Sequence, residues 1–286
     1  MRNILAFGAV LWDIIGEKEF IGGAPLNFSA HIKHLGCDVA FVSRVGDDAR
    51  GNLSRACIRS FGLNDSLIQT DTIHPTGIAL VELSSSGSPS FELPINVAYD
   101  FIEFDLALKA SLNKEYDAVY FGTLEQRSPV TSATLDMVLS NIRAKHVFYD
   151  INLRLSYYSK KIIEWSLKQA TIVKMNDDEV YVVSKLLYED EYSLEQFYNK
   201  LLHDFNVEVL CITKGKDGCE VFSENKKVVQ PGISVEVVDT IGAGDAFSAA
   251  FVNEYLTSGD IDAAAKAGNE MGALVASKKG AVPCRI

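Results

Sequence analysis

The sequence predicts an α/β fold of three layers, a mostly parallel central sheet between helices, with a small β-sheet lid. Three observations lead there. Short, continuously apolar runs alternate with helical periodicities over most of the 286 residues, the pattern of parallel strands covered on both faces. Residues 76–96 break that alternation and read as a hairpin with no helix to cover it. Near the C-terminus a β-branched run enters the turn Gly242-Ala243-Gly244 and passes straight into a helix, an arrangement that aims backbone N–H groups at an anion.

Taken in order, residues 4–10 (Ile-Leu-Ala-Phe-Gly-Ala-Val) make the first strand, and Asp13 closes it. Arg2 ahead of a short apolar run resembles a secretion signal, but Asp13 and Glu17 follow directly and the run has the length of a buried strand. Gly22 and Gly23, then Pro25 in a first helical turn, open a helix over 26–35. A strand at 39–45 and a helix at 52–61 follow. The arms 76–83 and 90–93 flank a polar turn, Ser84-Ser85-Ser86-Gly87-Ser88-Pro89. Strands at 118–122, 146–151, 171–175, 207–213 and 220–223 then alternate with helices at 131–143, 162–168, 177–187 and 194–205. Asn176 stands where a helix N-cap belongs. Phe247, Phe251 and Tyr255 recur every four residues with alanines between, which sets a helix at 246–256; a last one covers 261–278. No repeat or linker divides the chain, so one domain spans 1–286, with lid strands inserted from about 17–23, 39–45 and 76–96. Ligands of such a sheet bind beyond the carboxyl ends of its strands.

A hydrophobic content of 48% with 10% aromatics supports a packed core and argues against disorder. The formal charge of −11 disfavours nucleic acid or an anionic membrane as partner. No apolar run approaches the about 18 residues of a membrane span. Five cysteines (Cys37, Cys57, Cys211, Cys219, Cys284) are odd in number and lack metal spacing, which reads as reduced core thiols of a cytoplasmic protein. His31 and His34 share a helix with Lys33 and are not candidates for catalysis or metal binding.

Gly242, Ala243 and Gly244 place unhindered N–H groups at the positive end of a helix, and Asp245 adds a carboxylate that can take a proton from a hydroxyl. Charge stabilisation beside a general base is what phosphoryl transfer to an alcohol requires. Taken alone, the same residues equally close a strand-to-helix turn, with Asp245 neutralising the helix end. Asp13 and Asn27 are short polar side chains of the kind that grip sugar hydroxyls. They are equally a loop aspartate and a helix start. No Gly-x-x-x-x-Gly-Lys-Ser/Thr spacing occurs, and no Gly-x-Gly-x-x-Gly opens the chain.

The run Asp239-Thr240-Ile241-Gly242-Ala243-Gly244-Asp245 resembles the C-terminal signature of the ribokinase-like (PfkB) carbohydrate kinase family. Gly22-Gly23-Ala24-Pro25-Leu26-Asn27 through Leu35-Gly36, then Val45-Gly46-Asp47-Asp48 and Gly51, resembles its N-terminal signature. The resemblance covers essentially the whole chain and implies the ribokinase-like fold. It also implies ATP-dependent phosphorylation of a sugar hydroxymethyl group. Asp245 would be the base, with Gly242, Ala243 and Gly244 as the anion cup. Asp13, Gly22, Gly23, Asn27 and Arg154, the last from Asp150-Ile151-Asn152-Leu153-Arg154, would bind sugar. Asn176, Thr213, Lys214, Gly215, Gly218 and Asn269 would bind nucleotide. The resemblance implies Mg²⁺ organised through water by Glu179. Asp239, Ile241, Ser277 and Gly280 match positions where some relatives hold a monovalent cation, so K⁺ is an open candidate.

Gly22-Gly23-Ala24-Pro25-x-Asn27 looks like the fructokinase branch, which implies D-fructose to fructose 6-phosphate; ribose, 2-dehydro-3-deoxygluconate and a nucleoside are the alternatives. The partners are then a small sugar and ATP, and an uncovered lid face suits a homodimer. Two other classes stay open. One is a sugar- or nucleotide-binding regulator on a retired kinase fold, separated by substrate-dependent ADP release. The other is a hydride-transfer enzyme, which a change in NADH absorbance would reveal.

Overall fold

A computed structural model describes residues 1–83, 89–190, 192–205 and 207–283. At its centre lies β1 (Asn3–Phe7), whose alternate residues feed two cores: Ile4 and Ala6 on one face of the sheet, Leu5 and Phe7 on the other. A strand wedged between two helical layers has no polar side, which is why this run is continuously apolar. The chain then makes β2 (Leu11–Ile15), β3 (Lys18–Gly22), α1 (Ala24–His34), β4 (Asp38–Gly46), α2 (Ala49–Ser60) and β5 (Ile68–Asp71). After β6 (Gly77–Leu83) and β7 (Pro89–Glu92) come α3 (Leu106–Ser111), β8 (Glu115–Gly122), α4 (Pro129–Asn141), β9 (Arg143–Asp150), α5 (Lys160–Gln169) and β10 (Ile172–Asn176). The last part contains α6 (Asp177–Tyr188), α7 (Leu194–Phe205), β11 (Val209–Thr213), β12 (Cys219–Ser223), β13 (Lys226–Gln230), α8 (Ala243–Ser258) and α9 (Ile261–Ala276).

The main sheet runs β13-β12-β11-β10-β9-β8-β1-β4-β5. Pairing is parallel from β5 across to β11 and antiparallel at β12 and β13. The second sheet, ordered β3-β2-β6-β7, is the lid. Within it β2 and β6 pair in parallel, and both outer strands are antiparallel to their neighbours.

The three-layer fold with a small lid matches the sequence-based expectation, with two relocations. Residues 39–45 were expected in the lid; they lie in β4, in the main sheet. Val39–Val42 pair with Ile4–Phe7, and the far end of β4 pairs with β5. The first strand was expected over 4–10 with Asp13 at its end, but β1 stops at Phe7. The N–H of Ala9 is taken by Glu125 Oε1 at 2.8 Å instead of by a strand. Leu11 then starts a lid strand, so Asp13 stands in the lid. The polar turn at 84–88 and Cys284 lie outside the described residues.

What fastens the lid is a buried cation. Arg127 and Asp100, each with a side chain only 5% exposed, form a two-toothed ion pair at 2.8 and 3.0 Å. The same guanidinium donates to the carbonyls of Leu93 and Pro94, where the chain leaves the lid, and stacks 4.5 Å from the Tyr157 ring centroid. Tyr157 OH donates to Leu93 O as well, at 2.9 Å. Nearby, Glu125 holds Ala9 where the chain enters the lid. Both crossings are thus clamped by one short segment after β8. Removing one member of a buried ion pair strands the other charge. Arg127→Met is expected to lower unfolding free energy by about 3–5 kcal/mol, read by urea denaturation; wild-type stability would show that the clamp carries no load.

Candidate active site

The start of α8 is shaped by its cap. Gly242 has φ 78° and ψ −4°, the values that the third residue of a type II turn needs and that side-chain-bearing residues avoid. A Cβ there would also stand 2.5 Å from that of Ala281. The turn closes with Ala243 N donating to Thr240 O at 3.2 Å. Ala243 therefore spends the amide that the sequence reading assigned to the anion cup. Among the described residues, the N–H groups of Gly244 and Asp245 have no acceptor, and no side chain caps the helix. Two open donors at a helix start attract an anion.

Asp245 sits half-buried beside them. Its Oδ2 accepts from Asn27 Nδ2 at 2.8 Å, joining α8 to the helix that follows the lid. Burial pushes its carboxyl up to about 6; the Asn27 hydrogen bond opposes this, Asp150 adds to it, and Lys174 and Arg154 oppose it. Asp13, across in the lid, is likewise raised by burial to about 6, lowered by Arg154 and raised by Asp239. Arg154 acts on both carboxylates and forms no ion pair among the described residues. Its loop is held in unusual backbone: Asn152 and Leu155 have φ of 41° and 50°.

Two glycines fit the lid onto α1. A side chain at Gly22 would begin 2.6 Å from Asp13 Oδ2. Gly23, at φ 109°, lets the chain turn into α1 against the carbonyl of Ala9, which a Cβ would approach to 2.4 Å. The Asn27–Asp245 bond, the close approach of Gly22 to Asp13 and the influence of Arg154 on both aspartates thereby set Asp13, Gly22, Gly23, Asn27, Arg154 and Asp245 in one neighbourhood.

On the other side of α8 lies a cavity of about 750 Å³. Thr213, Gly215, Gly218 and Asn269 line it, as do Ala243 and Gly244. Asn269 donates to Pro231 O at 2.8 Å, bracing the segment whose Ile233, Val235 and Val237 form an apolar wall. Lys214 is turned away: its ammonium pairs with Glu220, outside this lining. The cause is the antiparallel β11–β12 pairing, which brings Glu220 beside the strand end.

Asn176 and Glu179 form a capping box at the start of α6, each side chain accepting the other's N–H at 2.8 Å. The second Glu179 oxygen accepts from Leu153 N at 2.7 Å, so this carboxylate also steadies the Arg154 loop. Burial raises its pKa, against the pull of Lys174. Asp239 accepts from Ile241 N at 3.0 Å and Gly280 N at 3.1 Å, which ties the turn before α8 to the 277–281 loop. His31 Nε2 hydrogen-bonds Ala281 O of that loop at 2.8 Å, a partner no local reading of α1 could supply.

The profile of the pfkB family carbohydrate kinases matches residues 13–286. The chain belongs to this family. It is 28% identical to probable fructokinase-5 of Arabidopsis thaliana, over 98% of this chain and 93% of that protein. Fructokinase from Vibrio cholerae O395, solved in a form with fructose, ADP and calcium ion bound, superposes with a TM-score of 0.83 at 21% identity, covering 99% and 95% of the two chains. An uncharacterized sugar kinase from Pyrococcus horikoshii, solved in complex with ATP, gives 0.81 at 27% identity, covering 98% and 94%.

In this carbohydrate kinase, sequence reading missed several residues of the cleft. Lys174, 7% exposed in the middle of β10, pairs with fully buried Asp150 at 3.1 Å. Ser248 donates to the same carboxylate at 3.0 Å. Glu125 and the 233–237 wall were also missed. A lysine in an otherwise apolar strand was a usable signal, since such a charge needs a buried partner; the wall carried none. Asn27→Ala removes the side-chain donor to Asp245, so the Asp245 carboxyl is expected to titrate above its wild-type value of about 6, followed by ¹³C NMR; an unchanged or lower midpoint would exclude the link.

Proposed function

We propose that this kinase transfers the γ-phosphoryl group of ATP to the 6-hydroxyl of D-fructose, giving fructose 6-phosphate and ADP. One observation carries the reading: a half-buried carboxylate, Asp245, stands beside two unsatisfied backbone donors and hydrogen-bonds the helix that leads from the lid. Asp245 accepts the hydroxyl proton as the oxygen bonds to phosphorus, and the N–H groups of Gly244 and Asp245 receive charge on the transferred group. Asp13 and Asn27 orient the sugar, Gly22 and Gly23 let it approach the backbone, and Arg154 bridges the carboxylate-lined cleft. The nucleotide occupies the cavity lined by Thr213, Gly215, Gly218 and Asn269. Fructose is supported by the names of the plant relatives and by the fructose-bound neighbour; ATP is supported by the ATP complex of the archaeal one.

The residues suit Mg²⁺ carried in with the nucleotide. Among the described residues no three metal-binding side chains cluster, while Glu179 offers a fixed carboxylate for metal-bound water. When bound, the ion neutralises charge on the β- and γ-phosphates. The Asp239–Ile241–Gly280 bonds, with Ser277 alongside, support a monovalent-cation site for K⁺. Among the described residues no helix is long and apolar enough to cross a membrane; cytoplasmic placement is supported by the free thiols of Cys37, Cys57, Cys211 and Cys219. Exposed Phe20 on β3 supports a homodimer formed through the lid.

Asp245→Asn is expected to keep the fold and ATP affinity while turnover falls on the order of 10²-fold or more. A coupled assay of fructose-dependent ADP release, run over a panel of sugars, checks this; near-normal turnover removes the assigned base. Because Asp13 and Asp245 must both be ionised and both lie at about 6, kcat/KM is expected to fall as pH drops through 6, with a limiting slope approaching about two protons. An acid limb near pH 4, where ordinary aspartates titrate, would contradict the assignment.

A further inference from the structure

Directly beneath the open glycine turn lies a buried charge that the mechanism above leaves idle. Lys174 on β10 and Asp150 on β9 are cross-strand partners in the sheet. The ammonium lies 3.1 and 3.3 Å from the two carboxylate oxygens. Asp150 is anchored in turn by Ser248 Oγ of α8 at 3.0 Å and by Tyr120 OH of β8 at 3.3 Å. The position of Lys174 is therefore set from three elements. Burial opposes its charge, but the Asp150, Glu179 and Asp245 carboxylates hold its pKa above the usual lysine value.

Its outlook is the informative part. A Cβ built on Gly244 would lie 3.3 Å from Lys174 Nζ and, its chain neighbours and own helix backbone aside, would meet no other atom within 4 Å. Gly244 is exposed to the cleft and lines the nucleotide cavity. The missing side chain thus leaves a window through which this ammonium faces the space in front of the two open amides. An ammonium has three donors, and the two Asp150 oxygens occupy two. We propose that Lys174, pinned by Asp150, is a catalytic residue of the phosphoryl site: its remaining donor contacts an oxygen of the terminal phosphate, and its charge keeps Asp245 ionised beside that group.

Charge balance supports this. Without Lys174, the incoming polyphosphate would meet Asp150 and Asp245 with only the helix end and the loop cation Arg154 to offset them. The charged and titratable groups facing Asp245 are Asp150 from β9, Lys174 from β10, Arg154 from the loop after β9 and Tyr120 from β8, with Asn27 of α1 as hydrogen-bond donor. Lys174 is the fixed, buried cation of this set.

The inference rests on the kinase reading but not on fructose. Lys174→Met is near-isosteric but strands Asp150, so the test pairs it with the charge-neutral double variant Lys174→Met/Asp150→Asn. Calorimetry without sugar compares ADP with a non-hydrolysable ATP analogue. Both variants are expected to hold ADP within about threefold of wild type and to lose roughly tenfold or more of the extra affinity conferred by the terminal phosphate. With whichever sugar of the panel is turned over, kcat of both variants is expected to fall on the order of 10²-fold, and in Lys174→Met, which keeps the Asp150 charge, the acid limb of the residual kcat should move to higher pH. If the variants fold, keep the wild-type preference for the ATP analogue and stay within about twofold of wild-type kcat, Lys174 is structural and the proposal is wrong. The binding comparison needs no acceptor, so a failure of the fructose assignment leaves this test intact.

Discussion

Two backbone N–H groups, those of Gly244 and Asp245, have no acceptor among the described residues, and much of the molecule is arranged to keep them so. Gly242 turns the chain sharply into α8 in a conformation that leaves no capping side chain. Ala281 closes on that turn from behind, held by His31 on one side and, through its neighbour Gly280, by Asp239 on the other. An unsatisfied helix end costs stability unless water or a ligand completes it. Here the helix is long, and its Phe247, Phe251 and Tyr255 rings stack in sequence against the core, anchoring it well beyond the exposed first turn.

The electrostatics follow from the same constraint. The protein carries a formal charge of −11 and four carboxylates, from Asp13, Asp150, Glu179 and Asp245, surround the cleft. Each is managed differently. Glu179 is oriented by backbone donors, one to each oxygen, and Asp150 is matched to Lys174 and Ser248. Asp13 and Asp245 are left with weaker compensation, and burial raises both. The two carboxylates that burial raises to about 6 are therefore the two that the proposed mechanism sets against the acceptor hydroxyl, where a proton acceptor is useful.

Lid and main sheet meet through few but well-buried links. Glu125 and Arg127 lie two residues apart, and they take hold of the chain on its way into and out of the lid. Asn27 then passes the lid's position to Asp245 by a direct hydrogen bond. A lid anchored at both crossings yet linked to Asp245 by one side chain can pass a change in its position to the start of α8.

Much of this was legible in advance where the information is local. Most main-sheet strands and helices follow from apolar period and caps, while the edge strands β5 and β13 and the short α3 went unread; the glycine-aspartate turn at α8 announces its own conformation. Legibility failed where a short apolar segment could join either of two sheets: Asp13 read as closing a first strand over 4–10, and Val39–Val45 read as lid. Lys214 pointed to the nucleotide by motif, yet pairing across β11 and β12 gave it Glu220. The chain alone determined that residues 242–245 would offer amides and a carboxylate together, because four consecutive residues dictate that geometry. Tertiary structure decided what faces them: Asn27 from a helix far earlier in the chain, Arg154 from a strained loop, and Lys174 through its cross-strand register with Asp150. Such neighbours are set by sheet order and packing, which no window of sequence contains.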